Sequence, residues 1–168
     1  HGLPANPWDS AVQYRTNILD LDRFPSDSGF EATFWFEAAP GLDYDSLRLV
    51  VERPGLYRVS INGVEAAPLD KEWWLDESFG VFELGRLARP GKNSVTLKCR
   101  PFSISSELEP VYVLGNFGLE AREAGFLMVP QRPLALGAWS EQGRPFYAGG
   151  VSYVKTFALS APAKIGER

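Results

Sequence analysis

The chain has 168 residues, of which 45% are hydrophobic and 23% charged, and its formal net charge is −4 at pH 7. This length suits one well-filled core, and an acidic chain without a lysine and arginine stripe argues against nucleic acid as a partner. No apolar run approaches the roughly 20 residues that cross a bilayer, and the first ten residues lack the basic and apolar regions of a signal peptide. We therefore expect neither a nucleic-acid nor a membrane partner, and a single module over residues 1–168. Residues 1–29 are expected to form an N-terminal extension that packs on this module.

Three aspartates lie close together near the start of the chain: Asp20, Asp22 and Asp27. Calcium takes six to eight oxygen ligands, and carboxylates are among those it prefers. This run does not have the ligand spacing of an EF-hand loop, and aspartate and serine are also common turn residues. A structural calcium ion is one hypothesis for the run and a plain turn is the other. No other cofactor is predicted.

Four segments then alternate between apolar and polar residues with a period of two: 30–38, 47–52, 57–61 and 151–159. In the first, Phe34 and Phe36 share one face while Trp35 stands on the other. Such alternation is typical of half-buried antiparallel strands. Lys155 interrupts the apolar face of the last segment.

Turn residues punctuate these segments. Asn62-Gly63 is a strong β-hairpin signal because both residues tolerate positive φ. Proline-glycine turns are predicted at 53–55 and 89–93, and a short helical or 3₁₀ piece at 82–89. Several strands at regular spacing predict an all-β fold, an antiparallel β-sandwich of jelly-roll type.

Cysteine and histidine are too scarce for several kinds of chemistry. Cys99 is the single cysteine and His1 the single histidine, so the sequence offers no internal disulfide, no Cys/His zinc site and no Ser-His-Asp triad. Cys99 alternates in phase with Val95 and Leu97. This pattern predicts a buried, unreactive thiol.

Two motifs carry a resemblance to a known family. Val59–Gly63 reads V-S-I-N-G, an aromatic and acidic stretch follows, and Gly91–Asn93 reads G-K-N ahead of an alternating strand. This arrangement resembles the sugar-binding, galactose-binding-like β-sandwich modules associated with family 2 and related glycoside hydrolases. Residues 137–157 are similar to the last strands of such modules in bacterial enzymes that act on plant-type polysaccharides. The resemblance covers residues 30–159.

The resemblance implies a place inside a larger enzyme. It implies a catalytic domain in the same parent chain, a polysaccharide or oligosaccharide ligand, and an extracellular or periplasmic location for the secreted parent. The motifs match structural positions of the family, namely turns and strands. They indicate a fold more directly than an activity.

Catalysis by this chain alone is not predicted. Hydrolysis of a glycosidic bond needs two carboxylates about 5–10 Å apart across a cleft. Candidate acids are Asp70, Glu72, Asp76, Glu77, Glu107, Glu109 and Glu141. No catalytic motif of the family matches any of them, and 21 acidic residues make such clusters common by chance.

Sugar binding has better support in the sequence. Sugar rings stack on tryptophan and tyrosine, while charged and amide side chains bind their hydroxyl groups. Two segments have this composition, the first with Trp73, Trp74, Asp76 and Glu77, the second with Trp139, Glu141, Gln142, Arg144 and Tyr147. Neighbours on a strand face opposite sides, so one of the two adjacent tryptophans should face the core. We favour Trp74 as the exposed one because Asp76 would share its face. The aromatic residues of the second segment could equally be structural.

Trp35 is a third candidate, since a jelly roll can bind glycan across a concave sheet face. Packing beneath a flanking loop, such as the N-terminal extension with Trp8, is the favoured interpretation.

Three functions remain. The leading one is a non-catalytic carbohydrate-binding module of a larger polysaccharide-degrading enzyme. The alternative is a structural β-sandwich that supports a catalytic domain and binds no sugar, and the third is an enzyme fragment that completes an active site.

Overall fold

Two β-sheets face each other across one layer of apolar side chains. The structure, a computed structural model, describes residues 24–158, and within that range it contains ten strands, three short 3₁₀ turns and no α-helix. The strands are β1 (Phe30–Ala38), β2 (Arg48–Glu52), β3 (Arg58–Ile61), β4 (Val64–Ala66), β5 (Pro68–Trp74), β6 (Asp76–Glu83), β7 (Gly91–Cys99), β8 (Tyr112–Leu114), β9 (Phe117–Ala121) and β10 (Phe126–Pro130). The 3₁₀ turns are Tyr44–Ser46, Pro54–Leu56 and Trp139–Gln142.

Sheet A has six strands in the order β4-β3-β7-β1-β10-β9, and sheet B has four in the order β5-β6-β2-β8. The paired strands are antiparallel except β1 and β10, which run parallel. The predicted all-β fold with antiparallel sheets is therefore confirmed, and the arrangement is β-sandwich-like. No helix of the described residues is both long and apolar enough to span a bilayer.

The core draws on both sheets. Sheet A contributes Ile61, Val95, Leu97 and Met128, and sheet B contributes Leu49, Val51 and Phe82, all buried in one cluster. Cys99 is also buried, as its alternation predicted. Val50 is fully buried although alternation places it on the opposite face from Leu49. In register it lies between Val81 and Tyr112, so the outer face of sheet B is itself apolar at this point.

Strand β1 has the two faces that its sequence predicted. Phe34 and Phe36 pack against the core, while Trp35 and its polar neighbours are exposed. β1 pairs with β7 over its whole length, so β7 supplies the other half of the same outer face. The outer face of sheet A consists of Glu31, Thr33, Trp35 and Glu37 of β1, Lys92, Ser94, Thr96 and Lys98 of β7, and Arg58 and Ser60 of β3.

The predicted hairpin at Asn62-Gly63 is confirmed. Both residues have positive φ, 50° and 82°, and they join β3 to β4. The Asn62 side chain also donates to the Oδ1 of Asn93 at 2.9 Å, and its own Oδ1 accepts from the Ser94 backbone N–H at 3.0 Å. The two asparagines of the sequence motifs are thus direct partners.

Two predicted elements differ in the structure. Residues 151–158 form no strand. A strand needs a neighbouring strand for its backbone hydrogen bonds, and none of the described residues pairs with this segment. Leu159 lies outside the described residues. In the 82–89 segment, Phe82 and Glu83 complete β6, and a single turn follows in which the Leu87 and Ala88 N–H groups donate to Leu84 O.

The connections fix which edges of the two sheets lie together. β4 is followed almost directly by β5, and β8 is followed almost directly by β9. Since β4 and β9 are the two edges of sheet A, and β5 and β8 are the two edges of sheet B, β5 lies near β4 and β8 near β9.

Candidate functional site

The double tryptophan lies at the end of β5, beside the turn to β6. Trp73 is 53% exposed, whereas Trp74 is half-buried with its ring centroid 5.4 Å from that of Tyr112 and 6.1 Å from that of Phe79. Neither indole belongs to the core cluster. The prediction that Trp74 is the exposed member is wrong, and so is the prediction that the other member faces the core.

An irregular strand explains both errors. The pairing of β5 with β6 shifts register twice, so that Trp73 lies opposite Gly80 but Trp74 lies opposite Asp76. Lys71 and Leu75, on either side of the tryptophans, have positive φ of 59° and 65°. Regular alternation requires an extended backbone, and a bulge interrupts it.

The acids of this segment are exposed. Asp76 Oδ1 accepts from the Ser78 hydroxyl at 2.6 Å and from the Ser78 backbone N–H at 2.7 Å. These hydrogen bonds, the hydroxyl first, lower the pKa of the Asp76 carboxyl from its ordinary value. Glu77 is exposed next to it. Asp76 is therefore an ionised acceptor whose geometry is held by its own turn.

Replacing Ser78 with alanine is expected to raise the pKa of Asp76 towards its ordinary value, because the hydroxyl donor is lost. A depressed folded-state pKa stabilises the fold above the pKa of unfolded aspartate, and this contribution disappears as the pH falls through the folded-state pKa. Carboxyl titration by NMR measures the shift, with Ser78→Thr as the control that keeps a hydroxyl. Equal Asp76 titration midpoints in the parent and in Ser78→Ala would contradict the assigned cause.

The second nominated segment, 139–147, is an ordered loop against the edge of sheet A. Its Gly143 carbonyl accepts from the Leu119 N–H of β9 at 2.8 Å. Gln142 Oε1 accepts from Ala135 N at 2.7 Å, and its Nε2 donates to Ala135 O at 3.1 Å. The Gln142 amide, predicted as a ligand contact, is thus engaged in holding the loop together.

Three other predicted residues of this loop form one cluster. The rings of Trp139 and Tyr147 meet edge to face with centroids 6.1 Å apart, and the Arg144 guanidinium lies 6.0 Å from the Tyr147 ring centre. The Tyr147 hydroxyl donates to Gly150 O at 3.0 Å. Trp139 is half-buried, so within this cluster it is Tyr147, 45% exposed, that offers ring surface to solvent.

A cleft of about 480 Å³ separates this loop from β9 and β10. Glu141 is on its loop side, and Glu120 and Arg132 are also among its lining residues. The double tryptophan is on β5 of sheet B and contributes no residue to the lining of this cleft. The two nominated segments therefore do not line the same cleft.

The exposed indole of Trp35 is the feature to which the sequence interpretation gave too little weight. Trp35 is 71% exposed, and a cleft of about 550 Å³ beside it is lined by Glu37, Lys92, Arg122 and Phe126 among others. Most of its surface is therefore not covered by any of the described loops. The suggested contact with Trp8 lies outside the described residues. Period-two alternation, which placed Trp35 on the polar face, was the signal that could have identified it.

Phe126 links Trp35 to the 139–147 loop. It is 40% exposed, lines the clefts on both sides, and packs edge to face on Phe146 with centroids 5.2 Å apart. We call this area the Trp35 surface and define it by Trp35, Glu37, Lys92, Arg122, Phe126 and Phe146. It combines three exposed rings with acidic and basic side chains. Arg122 is the partner of Glu120 at 3.1 Å, which orients its guanidinium.

The calcium hypothesis concerned Asp20, Asp22 and Asp27. Asp20 and Asp22 lie outside the described residues, and Asp27 is exposed in a turn. Within residues 24–158, no group of three or more histidine, cysteine, aspartate and glutamate side chains is placed to hold a metal ion.

Comparison with protein-family models, with curated proteins and with solved structures finds no match to this chain. The resemblance to sugar-binding modules therefore stays a prediction, and the functional argument depends on the site itself.

Proposed function

We propose that this chain is a non-catalytic carbohydrate-binding module with a jelly-roll, galactose-binding-like sandwich, and that it serves a larger secreted polysaccharide-degrading enzyme. The observation that carries the proposal is Trp35, an indole 71% exposed on a polar sheet face beside an open cleft. A large exposed aromatic ring surrounded by polar groups has the composition that stacks a sugar ring and binds its hydroxyls.

The position of Trp35 also suits binding. β1 lies inside sheet A, paired along its whole length with β7 and at one end with β10. A ring on such a strand is held by its backbone before any ligand arrives, so little conformational entropy is lost on binding. Trp73, next to an irregular turn with positive-φ residues, lacks this support.

One of the acids nominated as catalytic candidates, Asp76, suits an ionised hydrogen-bond acceptor better than a general acid. A general acid needs a carboxyl that is still protonated near neutral pH, which requires a raised pKa. The pKa of Asp76 is lowered instead, by Ser78. The module would act by keeping a polysaccharide close to a catalytic domain, which raises the effective substrate concentration.

The alternative, a structural domain that supports a catalytic domain, has one observation in its favour. The last described part of the chain exposes large apolar side chains: Leu136 at 80%, Phe146 at 73%, Val154 at 91% and Phe157 at 74%. Exposed apolar surface of this kind is typical of a contact with another folded unit. Phe146 belongs to both this apolar set and the Trp35 surface, so a neighbouring domain that covered the set would compete with a ligand at Phe146.

The proposal is tested by affinity gel electrophoresis of the isolated chain in gels that contain plant and bacterial polysaccharides, with a reducing-sugar assay in parallel. We expect at least one polysaccharide to retard the protein and none to be hydrolysed. Retardation by none would contradict binding and favour the structural alternative. Release of reducing sugar that disappears in Glu77→Gln or Glu109→Gln would make the chain an enzyme.

A further inference from the structure

A second feature of the sheet A outer face is a basic cleft at the end away from the Glu37–Lys92 pair. It has a volume of about 490 Å³ and is lined by Gly55, Leu56, Tyr57, Arg58, Lys98 and Arg100. Every charged residue in that lining is a cation, although the whole chain has a net charge of −4. Such a local excess of positive charge points to an anionic ligand.

The arrangement of these cations is costly for the fold. Arg58 and Lys98 are direct cross-strand partners of β3 and β7, and like charges directly opposite each other destabilise a sheet. Lys98 has one acidic neighbour, Glu31, at 3.7 Å, and both side chains are about half exposed. Within residues 24–158, neither Arg58 nor Arg100 has an ion-pair partner. Among the described residues, the two arginines are therefore available to an anion.

The cluster and Trp35 are on one continuous surface. Trp35 of β1 lies opposite Ser94 of β7. Four residues along the same two strands, Glu31 of β1 lies opposite Lys98 of β7. At about 3.3 Å per residue, these two rows are about 13 Å apart, a span of a few sugar units. Hydroxyl groups occupy the interval, since Thr33 and Thr96 are hydrogen-bonded at 2.9 Å and Ser60 lies opposite Thr96.

We propose that the ligand of this module is an acidic polysaccharide. One of its sugar rings stacks on Trp35, its chain runs along β1 and β7 over the threonine hydroxyls, and its anionic groups bind Arg58, Lys98 and Arg100. The guanidinium groups of Arg58 and Arg100 can bind a carboxylate or a sulfate ester through two parallel hydrogen bonds. This inference rests on the proposed carbohydrate-binding function and specifies its ligand class.

The experiment measures binding of the whole chain to polygalacturonate and to the same polymer after full methyl esterification, which removes the charge but keeps the backbone. Dextran sulfate, which has sulfate esters and no carboxylates, forms a second arm, so that carboxylate and sulfate ester are distinguished. We expect an anionic polymer to bind at least about tenfold more tightly than the neutral ester. Its affinity should fall as salt is raised from about 0.05 to about 0.5 M.

Arg58→Gln and Arg100→Gln should each weaken binding of the anionic polymer about tenfold, as expected when a charge-assisted contact is lost. Arg86→Gln is the matched control, an exposed arginine on the turn before β7, and it should leave affinity unchanged. Circular dichroism checks that each variant keeps the fold of the parent.

The outcomes separate this inference from the proposed function. Equal binding of the acidic and esterified polymers would overturn the acidic ligand while leaving carbohydrate binding in place. If inorganic phosphate at matched ionic strength occupies the cluster and only neutral polymers bind the chain, the cluster is a small-anion site and the inference fails. Failure of every polysaccharide, charged or neutral, to bind would overturn the proposed function itself.

Discussion

Asn93→Ala is expected to lower the free energy of unfolding by about 3 kcal/mol or more, because it breaks a buried hydrogen-bond network. Asn93 is 1% exposed. Its Nδ2 donates to Arg89 O at 2.7 Å and to Gly91 O at 2.9 Å, while its Oδ1 accepts from Arg89 N and from Asn62 Nδ2, both at 2.9 Å. All four hydrogen-bonding positions of the amide are used, so alanine leaves several buried polar groups without a partner.

Urea unfolding measures this effect. Asn116→Ala is the matched control, because the Asn116 amide donates to Asp43 Oδ2 at 3.1 Å in an exposed position and its loss should cost under about 1 kcal/mol. A loss below about 1 kcal/mol for Asn93→Ala would show that the network does not hold the β3–β4 hairpin to the start of β7.

This network shows how far the sequence could be interpreted. The V-S-I-N-G and G-K-N motifs located Asn62 and Asn93 correctly and indicated that each marks a turn. The two are 31 residues apart, however, and their contact depends on β3 pairing with β7. Turn chemistry is local, whereas the partner of a side chain is decided by strand order, which alternation does not reveal.

The candidate site shows the same limit. The two faces of β1 followed from period-two alternation because that strand is regular along its whole length. The orientation of Trp73 and Trp74 could not be predicted in this way, because β5 is bulged and alternation fails there. The strand predicted at 151–159 failed for another reason, since a strand needs a neighbour and none of the described strands pairs with that segment.

Trp35→Ala is expected to weaken polysaccharide binding by roughly 1.4–2 kcal/mol, a ten- to thirtyfold loss of affinity, because the indole supplies the stacking platform. The fold should be unaffected to within about 0.5 kcal/mol, since a side chain that is 71% exposed contributes little to the core. Binding and urea unfolding together separate a loss of ligand contact from a loss of structure.

Trp73→Ala is the comparison variant for this prediction. Trp73 is also a tryptophan and is 53% exposed, but it lies on β5 of sheet B, whereas Trp35 lies on β1 of sheet A. If the Trp35 surface is the site, the Trp73 variant keeps the affinity of the parent. A loss of affinity in this variant alone would show that the binding site is at the double tryptophan.

The most direct measurement is isothermal titration calorimetry of the parent chain, Trp35→Ala and Trp73→Ala with the polysaccharide that retards the parent most strongly in affinity gels. The account predicts measurable binding by the parent, a roughly tenfold or greater loss in Trp35→Ala, and no change in Trp73→Ala. Equal affinity of the parent and Trp35→Ala, with both proteins folded, would contradict the claim that this chain binds carbohydrate through the exposed indole of β1.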